Sequence, residues 1–323
     1  MIQKILNNNV ILLMSLIIVY VIGNNIFYLS AYADLPDEIN KIQNCKNSKI
    51  IDKAIPNSNS NDQKNDNNDD TKPIENFHHI KKFNSNGELI KGWGVKGAGN
   101  GEFLHPHGIG SDSKGNIYVS DAVLCNIQKF DSNGHYLLKF GSRGNGPAEF
   151  LQPESIAIDK NDNVFVADYA TQHVQKFDSN GNFITMWGSK GTKTGQFMKP
   201  WGIGVDSVGN VYVGDQENPV IQKFDNNGNF ITKWGSYGSK AGQFVHIHDI
   251  TLDSNDYVYA TDGRDNSRVE KFDSDGNFIT MWGSLGCKDD QFLIPHDITI
   301  DPKGNIYVSD SGHVHFRDNY LCK

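Results

Sequence analysis

The chain has 323 residues, four cysteines and a net charge of −8 at pH 7. An acidic balance without a basic cluster opposes binding to a phosphate backbone, which relies on Lys and Arg displacing counterions, and so nucleic acid is excluded as a partner. Cys45, Cys125, Cys287 and Cys322 form no C-x-x-C pair of the kind that marks zinc or redox work; a Cys125–Cys287 bridge is open in principle, with no sequence support.

Residues 1–33 read as a targeting segment. Lys4 is its one charge, Val10–Ile22 is apolar but for Ser15 and Tyr20, and Ala31-Tyr32-Ala33 offers a cleavage site before Asp34. The other reading is an uncleaved membrane anchor, and contact with a membrane is expected only through this segment. Either way the remainder is expected to be secreted or tethered at the extracellular surface. Residues 34–76 form a polar linker, with Asn57–Asp70 almost wholly Asn, Ser and Asp and too little apolar area to offset the entropy of ordering.

Residues 77–323 are repetitive. The K-F-D-S-N-G turn recurs around Phe83, Phe130, Phe177, Phe224 and Phe272, at spacings of 47, 47, 47 and 48 residues. Within Gly195–Gly235 four apolar runs, Ile203–Val205, Val211–Val213, Val220–Phe224 and Phe230–Trp234, are separated by Gly- and Asn-rich breaks. Runs of this length with tight breaks predict a four-stranded antiparallel meander. One such sheet cannot bury both faces, whereas repeats in the forties stack as the blades of an all-β propeller. Phe77–Gly94 carries only the outer half of a blade and Gln291–Asp310 only the inner half. The N-terminal strands are therefore expected to complete the last blade, closing a ring of five; six is the alternative, because the tail His313–Lys323 carries a remnant of another third strand.

The text F-x-x-P-x-G-I-x-x-D-x-x-G-N-I/V-Y-V-x-D followed by V-Q-K-F-D-x-x-G-x-F resembles the NHL-repeat family, over roughly Ile80–Asp310. The resemblance implies a propeller. It does not imply one function, since the family includes enzymes, scaffolds and nucleic-acid binders.

Function is sought where the repeats differ. Asp121, Asp168, Asp215, Asp262 and Asp310 end every second strand, and Asp112, Asp159, Asp206, Asp253 and Asp301 follow every first; both sets read as turn-capping residues. Lys129, Lys176, Lys223 and Lys271 read as a solvated rim. The position opening each inner strand varies: His107, Glu154, Trp201, His248 and His296, each followed by Gly108, Ser155, Gly202, Asp249 or Asp297. A ring of blades gathers these at one channel mouth. Three imidazoles with carboxylates suit Zn2+ or Ca2+, so His107, His248 and His296 are the candidate metal ligands. Glu154, Trp201, Asp249 and Asp297 are the candidate ligand-binding residues, and the plain alternative is a wet polar channel. His105 and His246 are expected in loops above the ring.

The segment T-D-G-R-D-N-S-R, together with Pro106-His107-Gly108 and Pro295-His296, resembles peptidyl-α-hydroxyglycine amidating lyase. The resemblance implies zinc on His107 and His296 and a catalytic Arg268 at the substrate; Gln243 stands where that family has its middle zinc histidine. Two readings follow: a scaffold binding a protein, peptide or small-molecule ligand, or a metal-dependent lyase.

Overall fold

The computed structural model describes residues 79–84 and 88–310, with the backbone alone of 17–22 and 25–30. The linker and the tail lie outside these residues. Ile17–Ile22 and Asn25–Ser30 pair as an antiparallel ladder within a unit of their own, Met1–Lys64. No helix among the described residues is long and apolar enough to cross a membrane.

The second unit is all-β, as the repeat predicts. Four complete antiparallel meanders are present. Blade 1 is Pro106–Ser111, Ile117–Asp121, Asn126–Phe130 and Tyr136–Phe140. Blade 2 is Pro153–Ile158, Val164–Asp168, His173–Phe177 and Phe183–Trp187. Blade 3 is Pro200–Val205, Val211–Asp215, Ile221–Phe224 and Phe230–Trp234, and blade 4 is Ile247–Leu252, Val258–Asp262, Arg268–Phe272 and Phe278–Trp282. The inner strands start three residues earlier than the apolar run alone suggests, which places the variable position on the strand itself.

The core lies between blades. Phe103, Phe150, Phe197 and Phe244, from the loops entering blades 1 to 4, each pack over the third-strand Phe130, Phe177, Phe224 or Phe272 with ring centroids 5.7–5.8 Å apart. All eight are buried, and each contributes about 1.5–3 kcal/mol by leaving water. The turn glycine explains itself at Gly228. Its φ of 85° suits glycine, and a Cβ there would lie 2.6 Å from Trp187 of the preceding blade.

The turn-capping aspartates are as expected. Asp121 accepts the amides of Leu104, His105, Val123 and Leu124, and Asp112 accepts those of Lys114 and Asn116. The lysine rim is not. Lys129, Lys176 and Lys223 are buried, each ammonium reaching a backbone carbonyl in the next blade: Ser179, Asn226 and Ser274 at 2.9–3.1 Å. Each also stands over the second-strand ring of its own blade, Tyr118, Phe165 or Tyr212. The residue before the repeated Phe faces the neighbouring blade, so its charge is a staple there. Periodicity cannot show this, because the neighbour comes 50 residues later.

The half-blades also differ from expectation. Ile80–Phe83 with Leu89–Trp93, and Pro295–Ile300 with Ile306–Asp310, form separate two-stranded sheets, and no ladder joins them. The reason is packing. Ile80 and Trp93 bury against Phe103, Val119 and Phe130 of blade 1, while Ile298 buries against Tyr259 and Val269 of blade 4. Lys82 staples to Ser132 as the complete blades do, so the first half-sheet holds the regular place before blade 1. Among the described residues no sheet pairs with the inner strand of blade 1 on its open side, a seam where Ile109 is exposed.

Candidate functional site

Every inner strand pairs its first residue with the aspartate ending the second strand, and the ladder then slips before Ile109, Ile156, Ile203, Ile250 or Ile298. The two residues between are the two variable columns. A bulge of this kind breaks the alternation of faces, so two successive side chains can serve one site. Hydroxyls missed in the sequence hold it open. Ser120 Oγ, Thr261 Oγ1 and Ser309 Oγ accept the amides of Gly108, Asp249 and Asp297 at 2.7–3.0 Å. Ser120 and Thr261 then donate to the carbonyls of Glu154 and His296 in the following sheets.

The axial residues do converge. The ring of Trp201 lies 5.4 Å from His107, 5.8 Å from His248 and 5.7 Å from His296, and His296 lies 5.9 Å from His107 and 4.7 Å from His248. The indole therefore stands among the three imidazoles. Each imidazole ring has at least one nitrogen engaged. His107 Nδ1 pairs with buried Glu154 Oε2 at 2.9 Å, and Gln152 donates to Glu154 Oε1. His296 Nδ1 pairs with Asp297 at 3.1 Å. His248 Nε2 shares a hydrogen bond of 2.7 Å with His246 Nδ1; its own Nδ1 is buried without a well-formed bond, beside the Pro295 carbonyl.

Burial works against charge on His107, but the hydrogen bond and charge of Glu154, with Asp297 and Asp249, outweigh it and hold the imidazolium above the usual range. Burial and neighbouring positive charge push His246 and His248 down to about 3, so both are neutral at pH 7. Asp249 is raised to about 7 by burial and by the nearby Asp297.

Zinc needs open nitrogen lone pairs converging on one point. Trp201 stands between the rings, Nδ1 of His107 and of His296 rests on a carboxylate, and His248 is bonded to His246; no cluster of three or more His, Cys, Asp or Glu among the described residues is set to hold a metal ion. Beside the rings is a cavity of about 690 Å³, lined by His107, Asp249, Asp297 and the aliphatic residues of the inner strands.

Arg268 is elsewhere. It is buried at the start of a third strand, donating to the carbonyls of Ser239, Lys240 and Gln243 and pairing with Glu270 at 2.7 Å. His105 and His246 lie in loops, as expected, and His246 supports His248. Sequence reading missed Tyr169, whose ring meets Trp201 edge-on at 5.2 Å, and Lys199, which donates to the Tyr169 hydroxyl at 2.7 Å. The only signal for them was departure from the repeat. The expected option of a Cys125–Cys287 bridge is not taken: Cys125 is a buried thiol and Cys287 is disulfide-bonded to another cysteine.

Residues 111–186 match the family described as a 6-bladed beta-propeller, and residues 292–315 match the NHL repeat. No curated protein matches the sequence. Among solved structures, a protein of unknown function from Bacteroides caccae is 12% identical over 71% of this chain and 78% of that one, with a TM-score of 0.53. A catalytically inactive virginiamycin B lyase from Staphylococcus aureus, with quinupristin, is 15% identical over 65% of this chain, with a TM-score of 0.51. The chain spans 64% of the length of that lyase structure. Such identities speak for fold alone. The sheets, the inter-blade packing and these matches agree: this chain is a β-propeller carrying NHL-type repeats.

Proposed function

We propose that this protein is an extracytoplasmic NHL-type propeller that acts as a binding scaffold, taking a small-molecule ligand in its axial cavity. The observation that carries this is the axial cluster and the cavity beside it. Residues from distant sequence positions, His107, Trp201, His248 and His296, meet with rings 4.7–5.9 Å apart, and His107 also lines a cavity of about 690 Å³. Side chains serving packing alone would repeat from blade to blade, as the phenylalanines do; this position instead holds His, Glu, Trp, His and His in turn. A volume of this size suits a small organic ligand. The leader-like residues 1–33 and the disulfide at Cys287 support a location outside the cytoplasm, where such bonds persist.

The test is spectroscopic. The exported chain is titrated with n-hexylammonium, hexan-1-ol, hexanoate, Zn2+ and Ca2+, while the Trp201 indole N–H and the axial imidazoles are followed by NMR. At least one probe is expected to shift these signals at saturable concentrations, and to shift them less in Trp201→Ala. Silence to all five removes the axial site. Sequencing the exported protein from its N-terminus is expected to begin at Asp34; an intact Met1 in the membrane fraction makes the segment an anchor instead.

A further inference from the structure

The cavity is chemically divided. Its lower wall is aliphatic, formed by Ile156, Ile203, Val205, Ile250, Leu252 and Ile298. Two carboxylates also line the cavity, Asp249 and Asp297, from the same column of successive inner strands. No Lys or Arg lines it. The one cationic side chain present, His107, is already committed to Glu154 at 2.9 Å. Asp249 Oδ2 accepts the Ile298 amide at 3.1 Å, and Asp297 is held by His296 and Ser309. These contacts fix both groups in place: against its burial Asp297 is held ionised by His296 and Ser309, and Asp249, raised to about 7, is protonated about half the time at pH 7, so the wall stays negative in a partly desolvated space. That charge calls for a cation from outside the chain.

The cation is not a bare metal ion by this geometry, since a divalent ion seeks several oxygen or nitrogen ligands and would gain nothing from an aliphatic floor.

We propose that the axial cavity binds an aliphatic ammonium ion, its head held between Asp249 and Asp297 and its carbon chain laid along the isoleucine wall. The proposal rests on the axial-binding reading above and gives that site a ligand class. The lateral seam supplies a second way in: Ile109 and Tyr307 both line the cavity and are 57% and 55% exposed.

The experiment ranks the same probes by calorimetry on the exported chain at constant ionic strength. n-Hexylammonium is expected to bind at least ten-fold more tightly than hexan-1-ol of equal length, and hexanoate more weakly than either. The double variant Asp249→Asn/Asp297→Asn keeps a carbonyl oxygen for the Ile298 amide but loses both charges. It is expected to bring n-hexylammonium down to the affinity of hexan-1-ol, with hexan-1-ol unchanged. Hexan-1-ol or hexanoate binding as tightly as the amine, Zn2+ or Ca2+ binding while the amine does not, or an amine affinity indifferent to the double variant each overturns the ammonium class and leaves the axial site standing. If the double variant does not fold, the ranking in the unaltered protein decides alone. No binding by any probe overturns both readings.

Discussion

Arg268 and Glu270 show how a departure from the repeat can be structural. In blades 1 to 3 the third strand carries Gln128, Gln175 and Gln222, whose amides bridge the preceding loop; Gln222 accepts from the Gly195 amide and donates to the Gln196 carbonyl, at 2.9 and 2.7 Å. In blade 4 Glu270 accepts from the Gly242 amide at 2.8 Å, its other oxygen faces Arg268 at 2.7 Å, and Arg268 donates to the Gln243 carbonyl at 2.6 Å, so the pair performs the work of one glutamine. Burial pushes Glu270 up to about 7, against the Gly242 amide and Arg268, which pull it down. The sign follows. From about pH 4.5 to 7 the unfolded chain has lost a proton that the folded chain keeps, so stability falls as pH rises across this window, by at most roughly 1.4 kcal/mol per unit. Glu270→Gln is expected to remove that slope and to be more stable than the parent at pH 8. Urea midpoints at pH 4.5, 6 and 8 measure it; equal slopes in both proteins would show that Glu270 is ionised throughout.

At the scale of elements, blades are joined by polar contacts as well as by phenylalanine. Lys223 reaches Ser274 of the next blade at 2.9 Å, above the Tyr212 ring and 3.9 Å from Asp206. A buried, charge-assisted bond of this kind is worth about 1.5–3 kcal/mol. Lys223→Met keeps the aliphatic stem and deletes the ammonium, and it is expected to cost an amount in this range by denaturant titration. Lys233→Met, on the exposed outer strand, serves as the control and is expected to change stability by less than about 0.5 kcal/mol. Equal effects from the two would return Lys223 to the solvated rim.

For the whole molecule the decisive feature is the seam. Ile156, Ile203, Ile250 and Ile298 are 3–7% exposed, whereas Ile109, in the same repeat position, is 57% exposed. Tyr307 is 55% exposed where Tyr118, Phe165, Tyr212 and Tyr259 are at most 5%. Both line the axial cavity. Ile203→Ala is expected to cost about 2–5 kcal/mol as a core truncation. Ile109→Ala is expected to cost under about 1 kcal/mol, because little apolar surface is lost from the interior. A cost at Ile109 matching that at Ile203, read from the same unfolding curves, would mean that the ring is covered there in solution.

The sequence by itself determined the fold class, the four-strand unit, the turn-capping aspartates and the convergence of His107, Trp201, His248 and His296. All of these follow from local spacing repeated along the chain: a period near 47 residues fixes which residues share a depth in every blade. What the sequence left open depends on contacts between segments far apart. Only the tertiary structure turned Lys129, Lys176 and Lys223 inward, consumed Arg268 in a loop, set Trp201 among the imidazoles and kept the half-blades as separate sheets. Each outcome is decided by which neighbour a side chain meets about one repeat away or across the ring. A linear pattern says which residues are equivalent. It does not say what faces them, and burial, charge and coordination are all set by what faces them.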